Sequence, residues 1–500
     1  MTIFNLNLSD TGWAASPSNN GSCLFLKGQI YLDSCEPGMR RLYTELAAHS
    51  TADQLNAFLL RLNGFYAWVE QSAERVRAAV DHIRSRPLFY GVASGQLFLS
   101  DDAEWVRQHV GDHEMDLVAR EEFKLAGYVT GADTLFPNVK QLQAGECLVA
   151  RKSATGVVVE THRYYRFLHT EPAHYDAASL MAELDDVTLR SIQRLIDYAR
   201  GRQLVLPLSG GYDSRLIATI LKRMGCDNLV TFTYGVLGNK ESQYSKQVAD
   251  TLGFRWHFVE YSEALWRDAW LPRARWEYQK WASGWAGVIN VQDWLAVREL
   301  KAQGLVEPDC LFVPGHSGDF VAGSHIPSAA FEKADFHLRD ALEALFLNHY
   351  NLMPLTSVSL KKDIWYSRIN SRVEVEKISS ALEYADAFEK WDWQERQAKF
   401  IVNSVRVYEH FGYDWWMPLW DIEFMRFWER VPLELRKKRL WYVKYVRAQY
   451  ATNGDGFQDL ANATDPQGIK KYLNSIAFLS KIKNMDLIQN ILKIVKKLKK

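Results

Sequence analysis

The sequence predicts an α/β protein: a sheet-rich N-terminal layer, then a part built on βαβ units that ends in helices. Three observations predict it. Short β-rich runs at 67–69, 75–80 and 96–100 read as hairpin strands of the first layer. An apolar run at 204–206 opens into Ser209-Gly210-Gly211-Tyr212-Asp213-Ser214, after which Leu216, Ile217, Ile220 and Leu221 recur at helical spacing. Gly225 is placed to end that helix, and Leu229-Val230-Thr231-Phe232-Thr233-Tyr234 follows as a strand.

The remaining elements follow in order. A chain of 500 residues forms two or more domains and can bury a large core. Residues 16–22, rich in Asn and Ser, form an early loop, and 169–175 reads as the linker between the two large parts. A helix over 178–199 buries Leu184, Val187, Ile192, Leu195 and Ile196. Helices dominate 331–450, where Trp391, Trp393, Trp415, Trp416 and Trp420 read as core; a platform for a sugar or other ring is the alternative. The tail alternates Ile482, Leu487, Ile488, Ile491, Leu492, Val495 and Leu498 with lysines, which makes a basic amphipathic helix. Such a helix suits either peripheral contact with an anionic membrane or docking on the protein itself.

Composition removes several classes. With 60 basic and 60 acidic side chains there is no general pull towards nucleic acid. Apolar residues make up 47% of the chain, with 18 Trp, 23 Tyr and 24 Phe, which argues against extended disorder. No long apolar segment and no signal-peptide pattern is present, so cytoplasmic residence is expected. The five cysteines are scattered without metal spacing and are expected to be buried, reduced thiols.

The loop at 209–214 carries the chemistry. Gly210 and Gly211 lack side chains, so successive N–H groups can converge on phosphate oxygens at a helix N-terminus, and Ser209 and Ser214 add hydroxyl donors. Asp213 would repel a phosphate unless a divalent cation, Mg²⁺, bridges the two. No Lys follows the glycines, which disfavours a kinase-like grip on a γ-phosphate.

On these residues the chain resembles the ATP pyrophosphatases, and the asparagine synthetase family specifically. The segment 241–258 is similar to that family's helix-then-strand after the second strand. Gly315-His316-Ser317-Gly318-Asp319 stands where the family has Gly-Glu-Gly-x-Asp-Glu, and Pro418-Leu419-Trp420-Asp421 where it has Pro-Phe-Leu-Asp. Upstream, Leu62-Asn63-Gly64-Phe65-Tyr66-Ala67, the run 81–90 and Gln141-Leu142-Gln143-Ala144-Gly145-Glu146 resemble landmarks of the class II glutamine amidotransferase domain. The resemblance implies an α+β amidotransferase-like sandwich over 1–168, a doubly wound parallel-sheet ATP pyrophosphatase-like domain over 176–450, and a tail over 451–500. That amidotransferase needs Cys at position two and Glu after Asn-Gly; here stand Thr2 and Phe65, so glutaminase activity is expected to be lost.

The implied reaction joins a small-molecule carboxylate to ammonia or an amine with ATP and Mg²⁺, the nitrogen coming from solution or from a separate glutaminase. Ser209, Gly210, Gly211 and Ser214 would hold pyrophosphate; Asp213 and Asp319 would hold the metal. Val230, Phe232 and Gly315 would lie along the nucleotide. Glu277 matches the Glu of the family's Glu-x-x-Asp segment, whose Asp is here Lys280, and His316 and Phe320 replace two acidic residues of the glycine turn. The family's catalytic lysine falls at Leu440, with Lys438, Arg439 and Lys444 as the neighbouring cations. The intact loop favours a ligase; the altered positions favour a non-catalytic homologue that binds nucleotide or serves in an assembly.

Overall fold

Period-two alternation builds the N-terminal layer. The computed structural model describes residues 3–9, 11–17, 21–270, 273–353 and 362–451; Thr2 and the basic tail lie outside the described residues. One sheet has the order β1-β7-β6-β8, from Phe4–Asn7, Gln96–Ser100, Phe89–Ala93 and Lys140–Gln141. The second is antiparallel throughout, in the order β10-β9-β5-β4-β3-β2, from Gly156–Arg163, Glu146–Ser153, Arg75–Val80, Leu62–Gln71, Cys23–Leu32 and Trp13–Pro17. The run at 96–100 thus belongs to one sheet of this layer and those at 67–69 and 75–80 to the other. On β4, Ala67 and Val69 face a core shared with Leu97, Leu99 and Leu148 of both sheets. Tyr66 and Trp68 point the other way, onto Leu42, Leu46, Leu55 and Phe58 of the helices Met39–Ala48 and Ala52–Leu59. A sandwich with helices on one face results.

The second part is a five-stranded parallel sheet in the order β13-β12-β11-β14-β15, from Arg255–Glu260, Leu229–Gly235, Leu204–Pro207, Leu311–Phe312 and Asp414–Trp415. Strands buried on both faces read as near-continuous apolar runs, as β11 and β12 do. The chain runs outward from β11 through β12 to β13, then returns to the other side for β14. The order reverses between β11 and β14, and in such sheets the crevice at the carboxyl ends of the reversing strands is where ligands bind. The helix expected over 178–199 spans Ala177–Ala199, with Leu184, Val187, Ile192 and Leu195 buried and Ile196 partly so.

All five named tryptophans of the C-terminal part are at most 1% exposed, which assigns them to the core and removes the sugar platform. Cys147 and Cys310 are buried, Cys23 and Cys226 partly so, and Cys35 is exposed; all five are free. Among the described residues no helix is long and apolar enough to cross a membrane.

Polar groups buried between the two parts pair with each other. Asn63 Nδ2 donates to both oxygens of Asp421 at 3.1 Å, and Arg194 forks onto the same carboxylate at 2.6 and 2.8 Å. His82 Nε2 bonds Trp420 O at 2.6 Å, and Arg86 donates to Glu409 at 2.9 Å while lying 4.6 Å from the Trp415 ring. Lys399 donates to the carbonyls of Val129 and Gly131 at 2.7 Å and pairs with Glu395 at 2.5 Å. Each of these charges has a partner, as burial requires.

Candidate active site

Two loops meet at the point where the strand order reverses. After β11 the Leu208 N–H still bonds Phe232 O at 2.8 Å, and the chain then turns into the helix Tyr212–Arg223 with Gly211 as its N-cap. No side chain caps that N-terminus, so its first N–H groups remain available to an anion. The loop is fixed by its own hydroxyls. Ser209 N donates to Ser214 Oγ at 3.1 Å, Gly211 N to Ser209 Oγ at 3.1 Å, and the two hydroxyl oxygens are 3.2 Å apart. Arg215 Nη2 braces the turn from behind through Gly210 O at 2.8 Å.

Glycine is required where this loop touches its neighbours. A Cβ on Gly315, in the turn after β14, would lie 2.8 Å from Ser214 N and 3.0 Å from its Cα. A Cβ on Gly318 would lie 2.8 Å from both Leu419 Cδ1 and Tyr442 Oη, and 3.0 Å from Asp213 Cγ. The turn between them is held by its polar side chains: Ser317, at φ +67°, donates to Gln397 Oε1 at 2.7 Å, and His316 Nε2 bonds Ser404 Oγ at 2.7 Å. Burial pulls the His316 pKa down.

The half-buried Asp213 carboxylate accepts from Asp319 N at 3.0 Å and from the Tyr442 hydroxyl at 2.9 Å. Burial, with the charge of Asp319 second, pushes its pKa up to about 7. Asp319 accepts from the Ser324 hydroxyl at 3.0 Å, and Arg439 approaches it to 3.7 Å while lying 5.6 Å from the Tyr212 ring. Two adjacent carboxylates are hard oxygen donors of the kind a divalent cation takes, so Asp213 and Asp319 fit Mg²⁺. Among the described residues no group of three acidic, His or Cys side chains is assembled, so phosphate oxygens and water would complete the shell.

Ser209, Gly210, Gly211, Asp213, Ser214, Gly315 and Asp319 are therefore brought together. The other expected residues are placed elsewhere. Val230 and Phe232 are wholly buried, Phe232 edge-on to Phe312 at 6.1 Å, so their side chains serve the core; the strand tip is Tyr234 and Gly235. Glu277 is 65% exposed on the helix Arg273–Ser283 and pairs with Arg273 at 3.0 Å, one turn away. Lys280 pairs with Glu104 of the N-terminal part at 2.9 Å. Lys438 is exposed in a turn at φ +53°, and Lys444 is exposed on the helix Leu440–Ala451. The cation that faces the carboxylates is Arg439. Tyr442, in the first turn of the helix Leu440–Ala451, escaped sequence reading, because Arg439 precedes that helix at φ +53° and no helical period links the two.

The amidotransferase-like landmarks are also placed. Asn63 Oδ1 accepts from Gly64 N at 2.7 Å and from Ile422 N at 3.2 Å, so it is spent on the chain itself. Phe65 lies against Trp416 at 4.6 Å, Trp415 at 5.6 Å and His82 at 6.3 Å. Where the resembling family has a carboxylate for glutamine, this chain has an aromatic wedge.

Fold and site together define a two-part α/β protein, an amidotransferase-type sandwich packed on a parallel-sheet domain with a serine–glycine loop at its switch point. The family model described as asparagine synthase matches residues 197–451, just over half of the chain, and one described as a glutamine amidotransferase domain matches 43–165. The chain belongs to the asparagine synthase family, a family of amide-forming synthetases. A comparison with curated proteins finds no match. Solved structures give slighter likenesses. A glutamine phosphoribosylpyrophosphate amidotransferase from B. subtilis is 13% identical, with 60% of this chain and 63% of that one covered and a TM-score of 0.21. An NH3-dependent NAD synthetase from Campylobacter jejuni is 15% identical, with 30% and 60% covered and a TM-score of 0.21. This chain thus spans less than two thirds of either.

Proposed function

We propose that the protein is an ATP-dependent, AMP-forming amide ligase without glutaminase activity of its own. The observation that carries the reading is the joining of the 209–214 loop, through Asp213, to Asp319 and its neighbour Arg439 at the switch point of the sheet. A carboxylate oxygen attacks the α-phosphorus of ATP; the bond from that phosphorus to the bridging oxygen breaks, and pyrophosphate leaves with the electron pair. An acyl-adenylate remains. Ammonia or an amine then attacks the acyl carbon and AMP departs, leaving an amide.

The residues supply position and charge. The uncapped helix N-terminus with Ser209 and Ser214 would take the pyrophosphate oxygens, and Arg439 would stabilise charge that develops on them. Mg²⁺ on Asp213 and Asp319 would neutralise the phosphate charge. The wedge of Phe65 between Trp415 and Trp416 supports the loss of glutamine hydrolysis, and nitrogen would then come from solution or from a separate glutaminase.

A specific observation favours the second reading, a nucleotide-binding homologue without turnover: Glu277, Lys438 and Lys444 all face solvent. Pyrophosphate–ATP exchange with Mg²⁺ decides between them, over a panel of carboxylates that includes aspartate and uronic acids, with Asp213→Ala as control. Exchange stimulated by one carboxylate and abolished in the control supports the ligase. Nucleotide binding without exchange supports the homologue.

A further inference from the structure

Next to the carboxylate pair lies a cluster that adenylation does not use. His325 Nδ1 is 2.5 Å from Asp392 Oδ2; Asp392 is 1% exposed at the end of the helix Ala381–Asp392, while 24% of the His325 side chain is open. Two links tie this pair to the cradle. Gln397 sits 3.4 Å from both His325 Nδ1 and Asp392 Oδ1 through its Nε2, and its Oε1 accepts from Ser317 of the glycine turn. Ser324, the residue before His325, donates to Asp319. His325 and Asp319 are thus the two ends of one short turn, 319–325.

An imidazole that donates from Nδ1 to a buried carboxylate carries its lone pair on Nε2. Among the described residues no group hydrogen-bonds that Nε2. The charged and titratable groups that face the ring are Asp392, Asp319, Arg396 and His349. Burial lowers its pKa, and the Asp392 charge and hydrogen bond, with Asp319, more than offset burial and Arg396, so the net direction is upward. Asp392 stays ionised, its burial outweighed by the positive charge beside it.

We propose that His325, oriented by Asp392, is the base that accepts a proton from the amine nucleophile of the second half-reaction, an inference that rests on the ligase reading above. The nucleophile is then ammonia or an amine that has a proton to give up. As nitrogen bonds to the acyl carbon, the carbon–oxygen bond to AMP breaks, AMP leaves with the electron pair, and the nitrogen's proton passes to Nε2. Asp392 is a positioning residue.

The test uses the full chain with the carboxylate that supports exchange. Ammonia is one nucleophile; hydroxylamine, which attacks acyl-adenylates without a protein base, is the other. His325→Gln should keep pyrophosphate exchange and hydroxamate formation within about threefold and lose ammonia-dependent amide formation by roughly 10²–10⁴-fold. In the wild type, amide formation should rise with pH through a pKa above the ordinary histidine value, and Asp392→Asn should move that limb to lower pH while circular dichroism stays unchanged. Unchanged ammonia-dependent activity in His325→Gln overturns the base, as does equal loss of exchange and amide formation in a folded variant. A limb that Asp392→Asn does not move overturns the dyad even if His325→Gln fails to fold. Absence of exchange in the wild type overturns the ligase reading itself, and the base with it.

Discussion

Replacing Gly315 with alanine tests whether the cradle is set by its contact with the turn after β14. Gly315 is not among the positive-φ glycines, so alanine meets no backbone strain there and acts through its Cβ alone. That carbon would lie 2.8 Å from Ser214 N, against 3.4 Å for ordinary contact, so backbone must move by about 0.6 Å. The atom it strikes belongs to the first turn of the helix that carries Asp213, and helical backbone cannot step aside as a side-chain tip can. Overpacking of this kind costs about 1–3 kcal/mol. A displacement approaching 1 Å in a positioning element costs on the order of 10²-fold in rate. Gly315→Ala should therefore unfold at lower urea concentration and lose one to two orders of magnitude in pyrophosphate exchange, with a raised KM for ATP. Wild-type exchange and KM in a Gly315→Ala protein would refute the contact as the element that sets the cradle.

Three further outcomes are expected. Arg439→Ala should reduce exchange by roughly 10-fold or more, as loss of a charge-stabilising donor does, while Lys438→Ala and Lys444→Ala stay within about twofold; equal effects would remove Arg439 from the site. Phe65→Ala should cost about 3–5 kcal/mol in chemical denaturation because the ring is buried among three others, and it should produce no glutamine hydrolysis; glutamate release from glutamine would show a working pocket. His349 is buried beside Trp391 and Phe388, and burial brings its pKa down to about 4. The unfolded chain binds the proton first, so this group's contribution is complete above the unfolded value near 6.5 and declines as pH falls towards 4, by about 1.4 kcal/mol per pH unit. His349→Phe should flatten that part of the stability–pH curve.

Much of the site was legible because its parts are local. Strand, glycine loop and helix at 204–223 sit within twenty residues, and each follows from residue type and period, as the helix Tyr212–Arg223 and the strand Leu229–Gly235 bear out. What sequence could not supply is facing. Lys438, Arg439 and Lys444 are equal candidates as letters, yet the fold brings Arg439 to Asp319 and leaves Lys438, in the turn, and Lys444, on the helix beyond it, in solvent. Val230 and Phe232 stand on the expected strand, but a central strand covered on both faces turns both side chains into the core. Glu277 fits a spacing, whereas the folded helix gives it Arg273 one turn away. The His325–Asp392 pair joins residues 67 positions apart and leaves no periodic trace.

The clamp of Asn63 and Arg194 on Asp421, with Phe65 wedged against Trp415 and Trp416, also bears on how the chain melts. Severing the two parts would break the Asn63–Asp421 contact and bare the faces of Phe65, Trp415 and Trp416 to water, and that apolar exposure is a cost to each half. Neither half then has an independent stability to fall back on, so heating should give one calorimetric transition, and a fragment cut within 169–175 should aggregate when expressed alone. The N-terminal layer persists as part of the folding unit, whatever became of its chemistry.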